Sequence, residues 1–163
     1  MTINAQRRFL EEQVKVLNSE DELRQHVGVM LGPGNWVTIE QERIDQFAEA
    51  TGDHQWIHVD PERSAKGPFG RTVAHGNLTL ALIPGLAAEL YQVSYASTRI
   101  NYGLNKVRYP MPVPVGSKVR LASTIDSITA QGHGLLLTVT HIIQLAQSER
   151  PACVAEGLTL LLQ

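Results

Sequence analysis

The sequence predicts an α+β domain in which an antiparallel sheet wraps one buried helix. Three observations lead there. An apolar stretch runs from Gly76 through Leu78, Leu82, Leu86 and Leu90 with few polar residues on any face. The last third of the chain alternates with the period of two expected of β-strands. The turns Gln131-Gly132-His133-Gly134 and Ser148-Glu149-Arg150-Pro151 are too short for crossovers, so neighbouring strands should be antiparallel.

The elements follow in order. Leu10, Val14 and Leu17, then Leu23, Val27 and Met30, repeat at helical spacing, which predicts a helical extension over residues 1–30. Ser19 followed by Glu22 fits a capping box at the start of the second helix, and Gly32-Pro33-Gly34 ends it. A strand at Trp36–Ile39 leads into a helix over 42–51, with Ile44, Phe47, Ala48 and Thr51 on its buried face. A loop-rich span over 52–75 precedes the apolar helix, expected at about 76–91 and bent at Pro84. Ile100, Tyr102 and Leu104 should point to one side of a strand, and Asn101, Gly103 and Asn105 to the other. Further strands are expected near 117–128, 134–147 and 152–162.

Bulk properties narrow the function. The 163 residues fit one domain with a substantial core. A formal charge of -2 without a dense basic run argues against nucleic acid as a partner. No segment is apolar and long enough to span a bilayer, and the stretch after Phe9-Leu10 turns charged at Glu11 and Glu12, unlike a secretory signal. The lone Cys153 forms no internal disulfide and reads as a small core residue, so a cytoplasmic location is expected.

The densest cluster of chemically useful residues is Gly52-Asp53-His54-Gln55-Trp56-Ile57-His58-Val59-Asp60. A helix commonly stops at such a glycine, which places Asp53 and His58 on a short irregular segment held by a rigid element. There a carboxylate and an imidazole can polarise one water, and burial would push the aspartate upward in pKa. The alternative is that Asp53 caps a turn and His58 packs. Gly76 opens the apolar helix, where a free N–H favours an oxygen developing negative charge; tight packing is the other explanation. His75 beside it reads as a neighbour that orients the loop.

His54, His58 and His75 with Asp53 and Asp60 also suggest a metal site, but Gly52 and Pro61 disfavour the continuous helix that would align His54 with His58, so none is expected. Arg63, Lys66, Arg71, Lys106 and Arg108 are candidate phosphate contacts. His141 shares a strand face with Leu137, Val139, Ile143 and Leu145 and reads as a core or interface histidine. Asn101 and Asn105 fit either a polar cavity or a solvated face.

Phe47-Ala48-Glu49-Ala50-Thr51-Gly52-Asp53 followed by Ile57-His58-Val59-Asp60-Pro61 resembles the hydratase signature of the MaoC-like hot-dog proteins, which include (R)-specific enoyl-CoA hydratases. Gly67-Pro68-Phe69-Gly70, Val73-Ala74-His75-Gly76, Leu78-Thr79-Leu80 and the run from Asn101 to Tyr109 continue the likeness, which spans about residues 35–162. The resemblance implies a hot-dog fold, a curved antiparallel sheet around a long central helix, forming one domain over 1–163 and usually a homodimer. It implies Asp53 and His58 as the catalytic pair and the Gly76 amide as the oxyanion donor, with no metal or redox cofactor. Gln55-Trp56 departs from the Asn-Pro of many members, so Trp56 is expected to shape the acyl pocket, with His75, Asn101 and Arg108 as further substrate contacts. The implied reaction is reversible hydration of a trans-2-enoyl-CoA to an (R)-3-hydroxyacyl-CoA. Rival readings are a dehydratase acting on acyl-carrier-protein thioesters, a thioesterase, and an acyl-CoA-binding module without turnover.

Overall fold

The computed structural model describes residues 14–163. Its elements are β1 (Lys15–Leu17), α1 (Glu20–Gln25), β2 (Met30–Leu31), β3 (Val37–Thr38), α2 (Gln41–Thr51), α3 (Trp56–Val59) and α4 (Pro61–Ser64). After these come α5 (Gly76–Ala81), α6 (Ile83–Ala88), β4 (Tyr91–Val93), β5 (Thr98–Arg108), β6 (Lys118–Gln131), β7 (Gly134–Leu145) and β8 (Cys153–Leu162). The main sheet runs β2-β6-β7-β8-β5, with β3 on the far end of β6, and every pairing in it is antiparallel. Short turns between β6, β7 and β8 set this order, as expected.

The sheet closes around α5–α6. Leu78, Ile83 and Leu86 pack into a core with Leu121, Ile125, Leu137, Val139 and Ile143 from the sheet and Ile44 from α2. Cys153 belongs to the same core and is fully buried, and burial pushes its thiol up to about 11. The sheet-wrapped helix predicted from the sequence is therefore present, and it has the form the resemblance implies.

Several expectations are corrected. The helix over 10–17 fails where it can be followed: Lys15–Leu17 is a strand, paired in parallel with Tyr91–Val93, and Leu10 lies outside the described residues. That pairing buries Leu17 completely, and the tertiary contact overrides helical spacing. The second helix starts as predicted, with Ser19 Oγ accepting the Glu22 N–H, but the Glu22 carboxylate reaches back to Asn18 N–H at 2.8 Å. It stops at Gln25 because Gly28 turns left-handed at φ 77°, and Met30 then pairs with Thr124 in the sheet. Thr51 is exposed, its hydroxyl donating to the Phe47 carbonyl. The span 52–75 holds two short helices, α3 and α4.

The central helix is interrupted at Leu82 and ends before Tyr91, which belongs to β4. The break sits where Pro84 cannot donate to the carbonyl of Leu80. Nor is the helix buried all round: Ala81, Pro84, Gly85 and Ala88 are exposed along one side. That side is built of small residues and lies next to β5, an outermost strand of the main sheet that is exposed at nearly every position.

The alternation predicted for β5 is broken by two bulges, between Asn101 and Gly103 and between Leu104 and Lys106. Asn101 stays opposite Thr159, whereas Asn105 donates to the Glu156 carboxylate at 2.6 Å. The two amides therefore do not share one cavity, because each bulge shifts the register by a residue.

Candidate active site

Helix α2 ends on Gly52, whose φ of 73° lets its N–H reach the Ala48 carbonyl and turns the chain sharply. Asp53 is the next residue, so the helix end fixes where it starts. Its Oδ1 accepts the Gln55 N–H at 3.4 Å, the local bond of an Asx turn, and its side chain is 55% exposed. The burial anticipated for this carboxylate is absent in the single chain.

His58 lies on α3 and is 6% exposed. Its Nδ1–H donates to the Val73 carbonyl at 2.6 Å, a bond that fixes the tautomer and leaves the Nε2 lone pair available. Gln41 on α2 secures the same turn, donating to the His58 carbonyl at 2.8 Å while its Oε1 accepts the Thr72 hydroxyl at 2.5 Å. Burial holds the His58 imidazole below its ordinary value and the nearby His75 adds to this, opposed by the Val73 bond and the Asp53 charge. At neutral pH the ring is neutral.

His75 does more than the sequence suggested. It is 2% exposed, its ring stacks on His58 with centroids 3.7 Å apart, and the Phe47 ring packs tilted against it at 5.0 Å. Its Nε2–H donates to the Asp53 backbone carbonyl at 2.9 Å, with the Asp53 Oδ2 4.0 Å away. His75 thus ties the Asp53 turn to the start of the central helix. Its Nδ1 is buried with no hydrogen-bond partner among the described residues.

These contacts bring together ligand-capable atoms of Asp53, His58 and His75 within 4.8 Å of one another. The cluster has the composition of a metal site, and each imidazole that gives one N–H to a carbonyl keeps the lone pair of its other ring nitrogen. His54 is elsewhere, 3.7 Å from Glu49, and Asp60 caps α4 by accepting the Arg63 N–H. Of the five residues considered for a metal, Asp53, His58 and His75 therefore converge, and His54 and Asp60 do not.

Gly76 follows His75 as the first residue of α5, where no carbonyl one turn back can take its N–H. A Cβ on Gly76 would come within 2.9 Å of the Tyr109 ring, whose hydroxyl donates to Asn77. Tight packing, one of the two explanations considered for this glycine, is real.

The other candidates scatter. Trp56 packs under the Arg63 guanidinium at 4.4 Å, and a Cβ on Gly67 would meet its ring at 2.9 Å. Arg108 is exposed and donates to the Val107 carbonyl. Arg63, Lys66, Arg71 and Lys106 are exposed as well. Asn101 lines a groove with His141, whose Nδ1 is bonded to the buried Ser123 hydroxyl at 2.8 Å. Gln41, Thr72 and Ser123 were missed because isolated polar residues carry no spacing signal.

The profile of the MaoC-like domain matches residues 23–142. The chain is 50% identical over 146 residues to a protein of Mycobacterium tuberculosis named 3-hydroxyacyl-thioester dehydratase Z, covering 89% of this chain and 97% of that one. It is 38% identical to nodulation protein N of Rhizobium leguminosarum bv. viciae, covering 83% and 86%. In structure it superposes with TM-score 0.73 on the monoamine oxidase regulatory protein from Archaeoglobus fulgius, at 20% identity and covering 91% and 97%. The (R)-hydratase from A. caviae gives 0.63 at 23% identity, covering 79% and 96%, a likeness of fold. The family match and the site it encloses lead to one conclusion: this chain belongs to the MaoC-like dehydratase family and is a hydro-lyase of hot-dog fold.

Proposed function

We propose that the protein catalyses the reversible addition of water to a trans-2-enoyl-CoA, giving an (R)-3-hydroxyacyl-CoA. The observation carrying this reading is the convergence of the Asp53 carboxylate and the His58 ring within 4.8 Å, beside the helix start at Gly76. Both groups accept protons in the resting state: one is a carboxylate, the other a neutral imidazole whose proton is held on Nδ1. A water between them is oriented by two acceptors and loses a proton to the pair as its oxygen bonds to C3. The same proton then goes to C2, and dehydration is the reverse, so atoms and charge balance without an added cofactor. The Gly76 N–H supports the thioester oxygen while it carries enolate charge. His75 is a positioning residue, holding Asp53 through its backbone and His58 through the stack.

The homologous dehydratase bears a thioester substrate in its name, which favours thioester chemistry here. We extend the reading to a homodimer in which two copies join edge to edge along β5, an exposed outer strand of the sheet. Loss of enoyl absorbance with crotonyl-CoA, followed by chiral analysis of the product, tests the reaction. Parallel assays with the acyl-carrier-protein ester identify the carrier. Release of free thiol with the enoyl chromophore intact would establish a thioesterase and end the hydratase reading.

A further inference from the structure

Two cavities of about 230 and 260 Å³ lie between the central helix and strands β5, β7 and β8. They share Ile83, Pro84, Asn101, His141 and Thr159, so they are two lobes of one groove. Leucines make up much of the remaining wall, with Tyr91 and Arg99 in one lobe, and three polar side chains meet where the lobes join. His141 is 7% exposed, and its Nδ1 is engaged by Ser123, which is 1% exposed. The ring fits because β8 has a glycine beside it: a Cβ on Gly157 would come within 3.3 Å of Cδ2 and 3.4 Å of Nε2. Among the described residues Nε2 has no hydrogen-bond partner, yet it is not sealed off, so it is open to the groove that His141 lines.

Burial pushes the His141 imidazole down to about 4, so it stays neutral at neutral pH and offers a hydrogen bond without a charge. The Asn101 amide and the Thr159 hydroxyl are neutral as well. At the junction such a lining suits a hydroxyl or a ketone, while Arg99 adds a positive charge to one lobe alone. Pro84 lies eight residues beyond Gly76 along the helix, about 12 Å at ~1.5 Å per residue, so this polar junction sits far from the thioester end.

We propose that the groove receives the distal part of the acyl chain, and that His141 and Asn101 select acyl groups bearing a neutral oxygen function remote from the thioester. The inference rests on the reading of Asp53, His58 and Gly76 as the reacting end.

Its test compares decanoyl-CoA with analogues carrying one hydroxyl at successive positions from mid-chain to the end. Binding of these saturated esters is read by calorimetry, and kcat/KM with the matching trans-2-enoyl esters. At least one hydroxyl position is expected to bind about tenfold more tightly than the plain chain, with kcat/KM following it. Asn101→Val and the double variant Ser123→Ala/His141→Leu should each bring that ratio close to one. The double variant leaves no buried hydroxyl orphaned; Asn101→Val, at a strand position exposed in the single chain, carries the test alone if the double variant does not fold. A plain chain that binds as well as every hydroxylated one overturns the proposal, as does a preference that the variants retain. Crotonyl-CoA is too short to reach His141 and separates the two readings. Its hydration without any hydroxyl preference sinks the groove assignment alone, and hydroxyl-selective binding without crotonyl hydration sinks the hydratase reading alone.

Discussion

The His58 and His75 rings stack at 3.7 Å with only 24° between their planes, and their edges approach the carboxylate of Asp53. This relationship joins three segments that the sequence separates: the turn after α2, the short helix α3, and the start of the central helix. Each ring spends one N–H on a backbone carbonyl, so neither rotates freely. The arrangement commits the two imidazoles to different tasks.

Asp53→Asn and His58→Ala should each lower kcat with crotonyl-CoA by about 10²–10⁴-fold, the usual loss for a positioned acid–base group. Asp53 is half-exposed, so the asparagine variant should unfold with an unchanged midpoint. His58→Ala opens a buried site and needs a folded-state check by circular dichroism. Activity within a few-fold of the parent in both variants would remove the pair from the mechanism.

His75 should act on the pH profile. The nearby His75 is one of the causes that lower the His58 pKa, after burial. His75→Phe keeps an aromatic ring in the stack while removing the ionisable group, so the His58 pKa rises and the acid limb of kcat/KM moves to higher pH. Loss of the bond to the Asp53 carbonyl should also reduce kcat by up to about tenfold. A profile that does not move would make His75 mere filler.

Much of this site was legible because its chemistry is concentrated in contiguous motifs. Gly52 really does end a helix, and the residues between Asp53 and His58 form one local turn. The stacking of His75 was not legible, since residue 75 is brought to residue 58 by the Val73–Ile57 backbone bond and by the His58 ring bond to the Val73 carbonyl across the loop. The same limit explains the fold errors. Leu17 has helical neighbours in sequence, but its strand forms only because Tyr91–Val93 offers a free edge. The bulges in β5 have no marker in its alternating pattern, and they separate Asn101 from Asn105.

His141 makes stability depend on acid. Its folded-state pKa of about 4 lies below its ordinary 6.5, with burial as the main cause and the Asp126 charge opposing it. The unfolded chain therefore binds the proton more readily, and the stability present above pH ~6.5 falls as pH drops toward about 4. The shift corresponds to about 3 kcal/mol over that window. Urea midpoints measured from pH 7 to 4 should decline less in Ser123→Ala/His141→Leu than in the parent. Parallel declines would assign the acid sensitivity to other groups.

Gly76 permits a test that separates packing from amide chemistry. In Gly76→Ala the new methyl comes within 2.9 Å of the Tyr109 ring, so the ring or the helix start must shift, at a cost of about 1–3 kcal/mol. Activity should fall with it, because displacement of the helix start moves the N–H. The N–H itself survives the substitution. Tyr109→Ala removes the obstructing ring and its bond to Asn77, so Gly76→Ala/Tyr109→Ala should be more active than Gly76→Ala on its own. Such non-additivity in kcat is expected only if the backbone donor matters and the absent side chain serves to place it. If stability recovers in the double variant while kcat stays at the level of Gly76→Ala, the amide has no part in holding the thioester oxygen.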